Sequence, residues 1–193
     1  MINLKKLTVA MLLALMMIVM ASTTGYGEET TVLVAYFSCT GNTRSLAEHA
    51  ADALNATLYE IKPAIPYTSA DLNWRDNSSR ASIEKNDLSS RPAISGTVEN
   101  MKKYDIVFLG YPIWWGQAPR IIYTFLESYD FSGKTIIPFC TSGSSGIGSS
   151  ATNLHGISAD STNWFPGARL PSRASRNEVV TWINGLGLNV TAE

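Results

Sequence analysis

Along the chain, runs of consecutive apolar residues alternate with stretches in which apolar positions recur every three or four residues. Three runs have buried-strand character: Val32 to Phe37, Tyr104 to Gly110, and Lys134 to Phe139, which ends at Cys140. A shorter strand is expected over Ala56 to Ile61, and a last one within 163–170, interrupted by Pro166 and Gly167. Between the strands the period is helical. Leu46, Ala47, Ala50, Ala51 and Leu54 share one face, and Ile121, Ile122, Phe125 and Leu126 line a helix expected from about Gln117. Val179, Val180 and Ile183 point inward from a final helix over Ser172 to Leu186, with Ser172 or Ser175 as its cap. Weaker helical signals lie near 148–156 and around Val98 and Met101.

Residues 62–96 break the alternation. They are polar, with Pro63, Pro66 and Pro92, the aromatic residues Tyr67 and Trp74, and Arg75, Arg80 and Arg91. Ser79 to Asp87 suits one or two helical turns, and the rest reads as an excursion over the surface. A stretch this long without regular structure is usually functional or disordered; Tyr67 and Trp74 argue for order, and the three arginines read as solvated surface.

Strands alternating with helices imply an α/β fold, a parallel sheet covered on both faces. Ligands in such sheets sit at the C-terminal strand edge, where the strand order switches direction. Three chemically unusual loops follow strands at that edge, so they are expected to converge. The first, Ser38-Cys39-Thr40-Gly41-Asn42-Thr43, feeds a strand into a helix. Free helix N–H groups, hydroxyl donors and a close backbone approach at Gly41 make an anion site, suited to a phosphate. The second, Tyr111-Pro112-Ile113-Trp114-Trp115-Gly116, offers indoles that can stack on a flat ring for about a kilocalorie per mole beyond burial. Neighbours on an extended backbone point opposite ways, so one of the two indoles is expected in the core. The third, Thr141-Ser142-Gly143-Ser144-Ser145-Gly146-Ile147-Gly148, is a Gly/Ser backbone able to meet a ligand edge. A ligand with a phosphate at one end and a planar aromatic system at the other fits all three, and FMN is such a molecule.

Composition changes this picture only at the N-terminus. Lys5 and Lys6 precede an uncharged run from Leu7 to Ala21, and Val19-Met20-Ala21 suits a cleavage site. The expected organisation is a signal peptide over 1–21, a flexible leader over 22–30 and one domain over 31–193. The mature protein is then expected to be exported, with membrane association only if the segment stays uncleaved. Cleavage removes two of the 15 basic residues and takes the net charge from −1 to −3. That balance points away from nucleic acid as a partner. Cys39 and Cys140 fall at the ends of strands expected not to be adjacent, so two free thiols are expected rather than a disulfide. His49 and His155 stand apart from each other and from any acidic cluster, so no metal site is expected.

The three loops, in order at strand ends, resemble the flavodoxin family. Ser38 to Thr43 is similar to its phosphate-loop pattern Ser/Thr-x-Thr-Gly-x-Thr, and Gly110 to Pro119 and Thr141 to Gly148 resemble its two flavin-ring loops. The similarity covers about 31–188. It implies a three-layer sandwich with a five-stranded parallel sheet of order 2-1-3-4-5, helices on both faces, and noncovalent FMN. By this resemblance Ser38, Thr40, Asn42 and Thr43, with the amides of Cys39 and Gly41, bind the phosphate. Pro112, Ile113, Trp114, Trp115 and Gly116 flank the isoalloxazine, and Thr141, Ser142, Gly143, Ser144 and Gly146 contact its pyrimidine edge or the ribityl chain. The implied function is electron transfer, with redox proteins or small-molecule donors and acceptors as partners. An alternative is an NAD(P)H-dependent quinone or flavin reductase. The near-neutral charge departs from the acidic surface of electron-shuttle flavodoxins.

A rival of another class is a phosphatase. Cys39 to Ser45 resembles the loop of low-molecular-weight tyrosine phosphatases, where a thiolate attacks phosphorus and an arginine binds its oxygens. Here four residues rather than five separate Cys39 from Arg44, and no Asp-Pro pair supplies a general acid.

Overall fold

In the computed structural model, which describes residues 30–193, side-chain alternation along the first strand separates the two sides of the molecule. β1 (Val32–Tyr36) is buried throughout. Leu33, Ala35 and Phe37 join one apolar cluster, whereas Val32, Val34 and Tyr36 join another. The first cluster lies under α3 (Arg120–Glu127), whose Ile121, Ile122, Phe125 and Leu126 are all buried. The second lies under α1 (Asn42–Ala53) and α4 (Arg176–Asn184), through Leu46, Ala47, Ala50, Val179 and Ile183. A sheet buried on both faces explains why its strands read as continuous apolar runs. The expected signal peptide over 1–21 and all of the expected leader over 22–30 but residue 30 lie outside the described residues.

β1 pairs in parallel with β2 (Thr57–Glu60) on one side and β5 (Ile106–Pro112) on the other. β5 pairs with β6 (Thr135–Thr141), whose outer edge carries two short parallel segments, β7 (Asn163–Trp164) and β8 (Ala168–Arg169). The expected five-strand order is therefore present, with the fifth position divided in two. Pro166 and Gly167 lie at the division, and the space there is used: a Cβ on Gly167 would lie 2.4 Å from Ile147 Cδ1 and 3.1 Å from Pro138 O. The strand gap thereby seats a residue of the third loop.

Boundaries moved where turn chemistry intervened. The helix expected from Gln117 begins at Arg120, because Trp114 and Gln117 exchange both backbone hydrogen bonds at 3.0 Å and close a tight turn first. The last helix starts at Arg176 behind Ser175, which closes a capping box with Glu178. Within the excursion, β3 (Lys62–Pro63) and β4 (Ile94–Ser95) form an antiparallel pair, and α2 (Arg80–Asn86) follows its Ser79 cap. The signals near Met101 and 148–156 are short 3-10 turns.

Candidate functional site

The strand order reverses between β1 and β5: from β1 the chain steps out to β2, then returns to the other side of β1. The first loop leaves β1 at this point. Gly41 has φ +85°, the left-handed region that glycine enters freely, and caps α1 without a side chain. The first helical backbone bond runs from the Ser45 N–H to the Gly41 carbonyl, so the N–H groups of Asn42, Thr43 and Arg44 have no partner within the helix. Ser38 Oγ accepts the Gly41 N–H at 3.1 Å, and Thr40 Oγ1 accepts from Asn42 Nδ2 at 3.3 Å. Each hydroxyl acts as an acceptor inside the loop and keeps its own proton to donate outward. The Gly41 amide, expected to face a phosphate, is thus engaged within the loop, while Asn42, Thr43 and Arg44 supply open donors.

Below the loop, Thr43 is buried and its Oγ1 lies 2.8 Å from Oγ1 of buried Thr141 at the end of β6. This contact ties the first loop to the third. Just past the second loop, Gln117 Oε1 accepts from Asn153 Nδ2 of the 3-10 turn that follows the third loop, at 2.8 Å. Arg169 donates to the Ser142 carbonyl at 3.2 Å, and Ser150 Oγ donates to the Ile147 carbonyl at 2.6 Å.

The two indoles of the second loop have different environments. Trp114 is partly buried and meets Phe37 and Tyr67 edge-on at 5.6 and 5.4 Å. Trp115 is 38% exposed and takes φ +47°, followed by Gly116 at φ +78°. A positive φ on a bulky residue is a strained conformation of the kind that gathers at functional sites. Trp114 is the packed member of the pair and Trp115 the open one.

A cavity of about 330 Å³ lies against these loops, lined by Ser38, Cys39, Thr40, Leu72, Trp74, Ala81, Pro112, Ile113, Trp114 and Trp115. Seven expected site residues meet there. Gly41, Asn42 and Gly116 flank it in sequence, and Thr43 and Thr141 lie beneath. Ser142, Gly143, Ser144 and Gly146 do not line it; they sit on the third loop, where Gly143, Ser144 and Gly146 are exposed. A polar groove of about 590 Å³ shares Ser38 and Cys39 with this cavity and includes Arg44, Glu60, Lys62 and Tyr67.

Leu72, Trp74 and Ala81 are wall residues that the sequence did not assign to the site. Trp74 was legible as an aromatic residue in a polar stretch, but nothing local shows which way such a stretch folds. Nor is Arg80 solvated surface. Its guanidinium stacks on Tyr67 at 3.9 Å, its Nε donates to Glu84 at 2.7 Å, and Tyr67 Oη donates to the same carboxylate at 2.5 Å. Burial, then the bond to Glu84, pushes the Tyr67 phenol well above its ordinary range.

Both cysteines are free. Burial pushes the Cys39 thiol up to about 12, with Arg80 offsetting only part of the effect, so it is protonated at neutral pH. Arg44 is paired with Glu60 at 2.5 Å. A protonated thiol beside a committed arginine lacks the two features that phosphatase chemistry needs. Among the described residues, no three His, Cys, Asp or Glu side chains gather as a metal-ligand set, and no helix is long and apolar enough to cross a membrane.

A doubly wound parallel sheet with a hydroxyl-rich anion loop at its switch point defines the class: an open α/β fold of the nucleotide-binding kind. A flavodoxin family model matches residues 31–186, and the chain belongs to that family. A crystal structure from Bacteroides eggerthii DSM 20697, whose flavoprotein assignment is provisional, is 47% identical over 83% of this chain and 100% of its own, with a TM-score of 0.78. A second, equally provisional, from Bacteroides uniformis ATCC 8492 is 48% identical over 80% of this chain and 98% of its own, with a TM-score of 0.76. A flavoprotein from Lactobacillus acidophilus NCFM, solved in complex with FMN, shares the fold at 20% identity and a TM-score of 0.62 over 82% of this chain and 99% of its own. A search of curated proteins finds no match.

Proposed function

We propose that the chain binds FMN noncovalently and acts in electron transfer through it. The observation that carries this reading is the loop from Ser38 to Thr43 at the switch point. It combines two outward-donating hydroxyls with three helix N–H groups free of intrahelical partners, a donor set matched to a dianionic phosphate without a lysine. Membership of the flavodoxin family and the FMN complex of the Lactobacillus protein support the same cofactor. FMN, when bound, supplies reversible uptake of electrons. The chain's own residues orient and tune it. Asn42, Thr43 and Arg44 amides and the Ser38 and Thr40 hydroxyls hold the phosphate. Thr141 fixes the Thr43 side chain, Trp115 offers the open indole for a planar ring, and the backbone of 142–146 meets the ring edge. Trp114 holds the second loop in place by packing on Phe37 and Tyr67. Walls of this apolar character, with no lysine at the phosphate, disfavour added negative charge and lower the reduction potential.

The test is reconstitution with FMN followed by exhaustive dialysis, read by the flavin absorbance bands and quenching of flavin fluorescence. Retained, quenched FMN that is lost in Thr43→Ala supports the site; a colourless wild-type protein refutes it. The alternative within the same cofactor reading is an NAD(P)H-dependent quinone or flavin reductase. Rapid bleaching of the loaded protein by NADH or NADPH would select it over a carrier. We also propose export, from the basic and apolar pattern of residues 1–21; a mature N-terminus near Ser22, read by Edman degradation of secreted material, is the expected outcome.

A further inference from the structure

Arg120, the first residue of α3, is 7% exposed and is the one buried arginine among the described residues. A guanidinium stays ionised wherever a protein folds, so a positive charge sits inside the molecule here. Among the described residues Arg120 joins no ion pair, whereas Arg44, Arg80, Arg91 and Arg176 each have a carboxylate partner. Its Nε donates to the Glu84 carbonyl and its Nη2 to the Lys85 carbonyl, both at 3.4 Å, and the guanidinium lies 4.8 Å from the Tyr123 ring. Carbonyl dipoles and an aromatic face offset the cost of burial without cancelling the charge. The position is also locally unfavourable, because a cation in the first turn of a helix opposes its dipole.

The neighbouring carboxylates do not neutralise it. Glu84 is committed to Arg80 at 2.7 Å and to Tyr67 at 2.5 Å. Asp87 is exposed, and its carboxyl is held down mainly by bonds to Ser89, with Arg120 contributing less. The Tyr123 ring is shared with Arg91, which Glu127 already pairs. Arg80, Glu84 and Arg120 thus bring two guanidinium groups to one carboxylate and leave one net positive charge. Arg120, Glu84, Trp114 and Ala81 line a gap of about 10 Å³, room for one water at most. Trp114 and Ala81 also line the 330 Å³ cavity, so one layer of side chains separates the charge from that space and little solvent screens it. We infer that Arg120 sets the redox balance of the site: its uncompensated charge favours the reduced form of the bound flavin, against the pull of the apolar walls. Reduction adds two electrons and, near neutral pH, one proton, so the reduced ring carries one more negative charge than the oxidised ring. The inference rests on the FMN reading and adds to it a residue that touches neither the phosphate nor the ring.

The experiment measures the two-electron midpoint potential of the FMN-loaded protein by reductive titration against a reference dye, together with the affinities for oxidised and reduced FMN. Arg120→Met is expected to weaken reduced FMN about tenfold relative to oxidised FMN, which lowers the midpoint by about 30 mV. Arg120→Lys keeps the charge and is expected to stay near the wild-type midpoint. Glu84→Gln removes the one carboxylate and is expected to raise the midpoint, so the sign is tested even if Arg120→Met does not fold. A midpoint unchanged in Arg120→Met, or lowered as far in Arg120→Lys, overturns the inference. Equal weakening of both flavin forms in Arg120→Met also overturns it, because Arg120 would then only support the wall. An unchanged or lowered midpoint in Glu84→Gln does the same. Wild type that retains no FMN refutes the cofactor reading and this inference together; retained FMN with a midpoint indifferent to these charges refutes this inference alone.

Discussion

Gly41→Ala isolates the backbone requirement of the first loop. Position 41 has φ +85° and ψ −15°, and a Cβ placed there meets nothing within 4 Å. The substitution therefore adds no clash, only the cost of holding an L-residue in the left-handed region, about 1–2 kcal/mol. That cost can emerge in either of two places. If the free protein keeps the loop as it stands, stability falls; the stiffer unfolded chain returns about 0.4–1 kcal/mol, leaving a net loss of about 1 kcal/mol. A domain of this size then melts about 2–4 °C lower. If the free loop instead relaxes and must be restored to bind, the melting temperature is kept and FMN affinity falls about 5–30-fold. Gly156→Ala is the control, because that glycine has neither a positive φ nor a Cβ obstruction. Differential scanning calorimetry and fluorimetric FMN titration of both variants measure both outlets. If Gly41→Ala matched Gly156→Ala in both, the left-handed turn would not be what organises the loop.

Further substitutions probe the supports of the site. Thr141→Val leaves the buried Thr43 hydroxyl without its partner and should cost about 1–3 kcal/mol in urea unfolding, part of which the Thr43→Val/Thr141→Val double variant recovers. Burial pushes both Cys39 and Cys140 up to about 12, so neither should react with iodoacetamide at pH 8 until guanidinium unfolds the chain; fast native labelling of Cys39 would revive the nucleophile. Glu127 is held below the ordinary carboxylate range by its hydrogen bonds to Arg91, and Asp71 by its bonds to Thr68. Depressed carboxylates contribute stability above their unfolded pKa of about 4 that is lost as pH falls through their folded values. The melting temperature should therefore drop on acidification below about pH 4, and less steeply in Asp71→Asn.

The sheet was legible because β1, β5 and β6 are buried on both faces, so their apolar runs needed no partner to be recognised. The first loop was legible for a similar reason: its donors are backbone and hydroxyl groups set by a local strand-to-helix turn. Two features depended on distant residues and were not. Where α3 starts depends on the Trp114–Gln117 turn, whose hydrogen bonds no propensity records. The excursion that carries Trp74 to the cavity is tied to the site by Tyr67 packing on Phe37 and Trp114, contacts that connect segments far apart in the chain. Sequence alternation placed one of Trp114 and Trp115 in the core without deciding which. The Trp114–Gln117 turn beyond β5 decided it: Trp115 takes a positive φ there and stays open, whereas Trp114 packs on Phe37 and Tyr67.

What holds the excursion against the site is a partly buried charge cluster, and it can be tested as a pair. Glu84 is 8% exposed and accepts from both Tyr67 and Arg80. Tyr67 in turn meets Trp114 edge-on, so Glu84 acts on the second loop through one intervening ring. Removing one member of a fully buried ion pair costs about 3–5 kcal/mol, because the remaining charge is stranded. Here the Arg80 side chain is 25% exposed and keeps the Ile65 carbonyl and the Tyr67 ring, so Glu84→Leu should cost less, about 2 kcal/mol. Arg80→Met/Glu84→Leu removes the stranded charge and should regain at least half of that loss in guanidinium unfolding. Both variants deprive the Tyr67 hydroxyl of its acceptor, so both should weaken the near-ultraviolet circular dichroism of the Phe37–Tyr67–Trp114 cluster. A double variant as unstable as the single would mean that no stranded Arg80 charge contributes to the loss. Stability changes with an unaltered aromatic spectrum would mean that the cluster anchors the excursion without positioning Trp114.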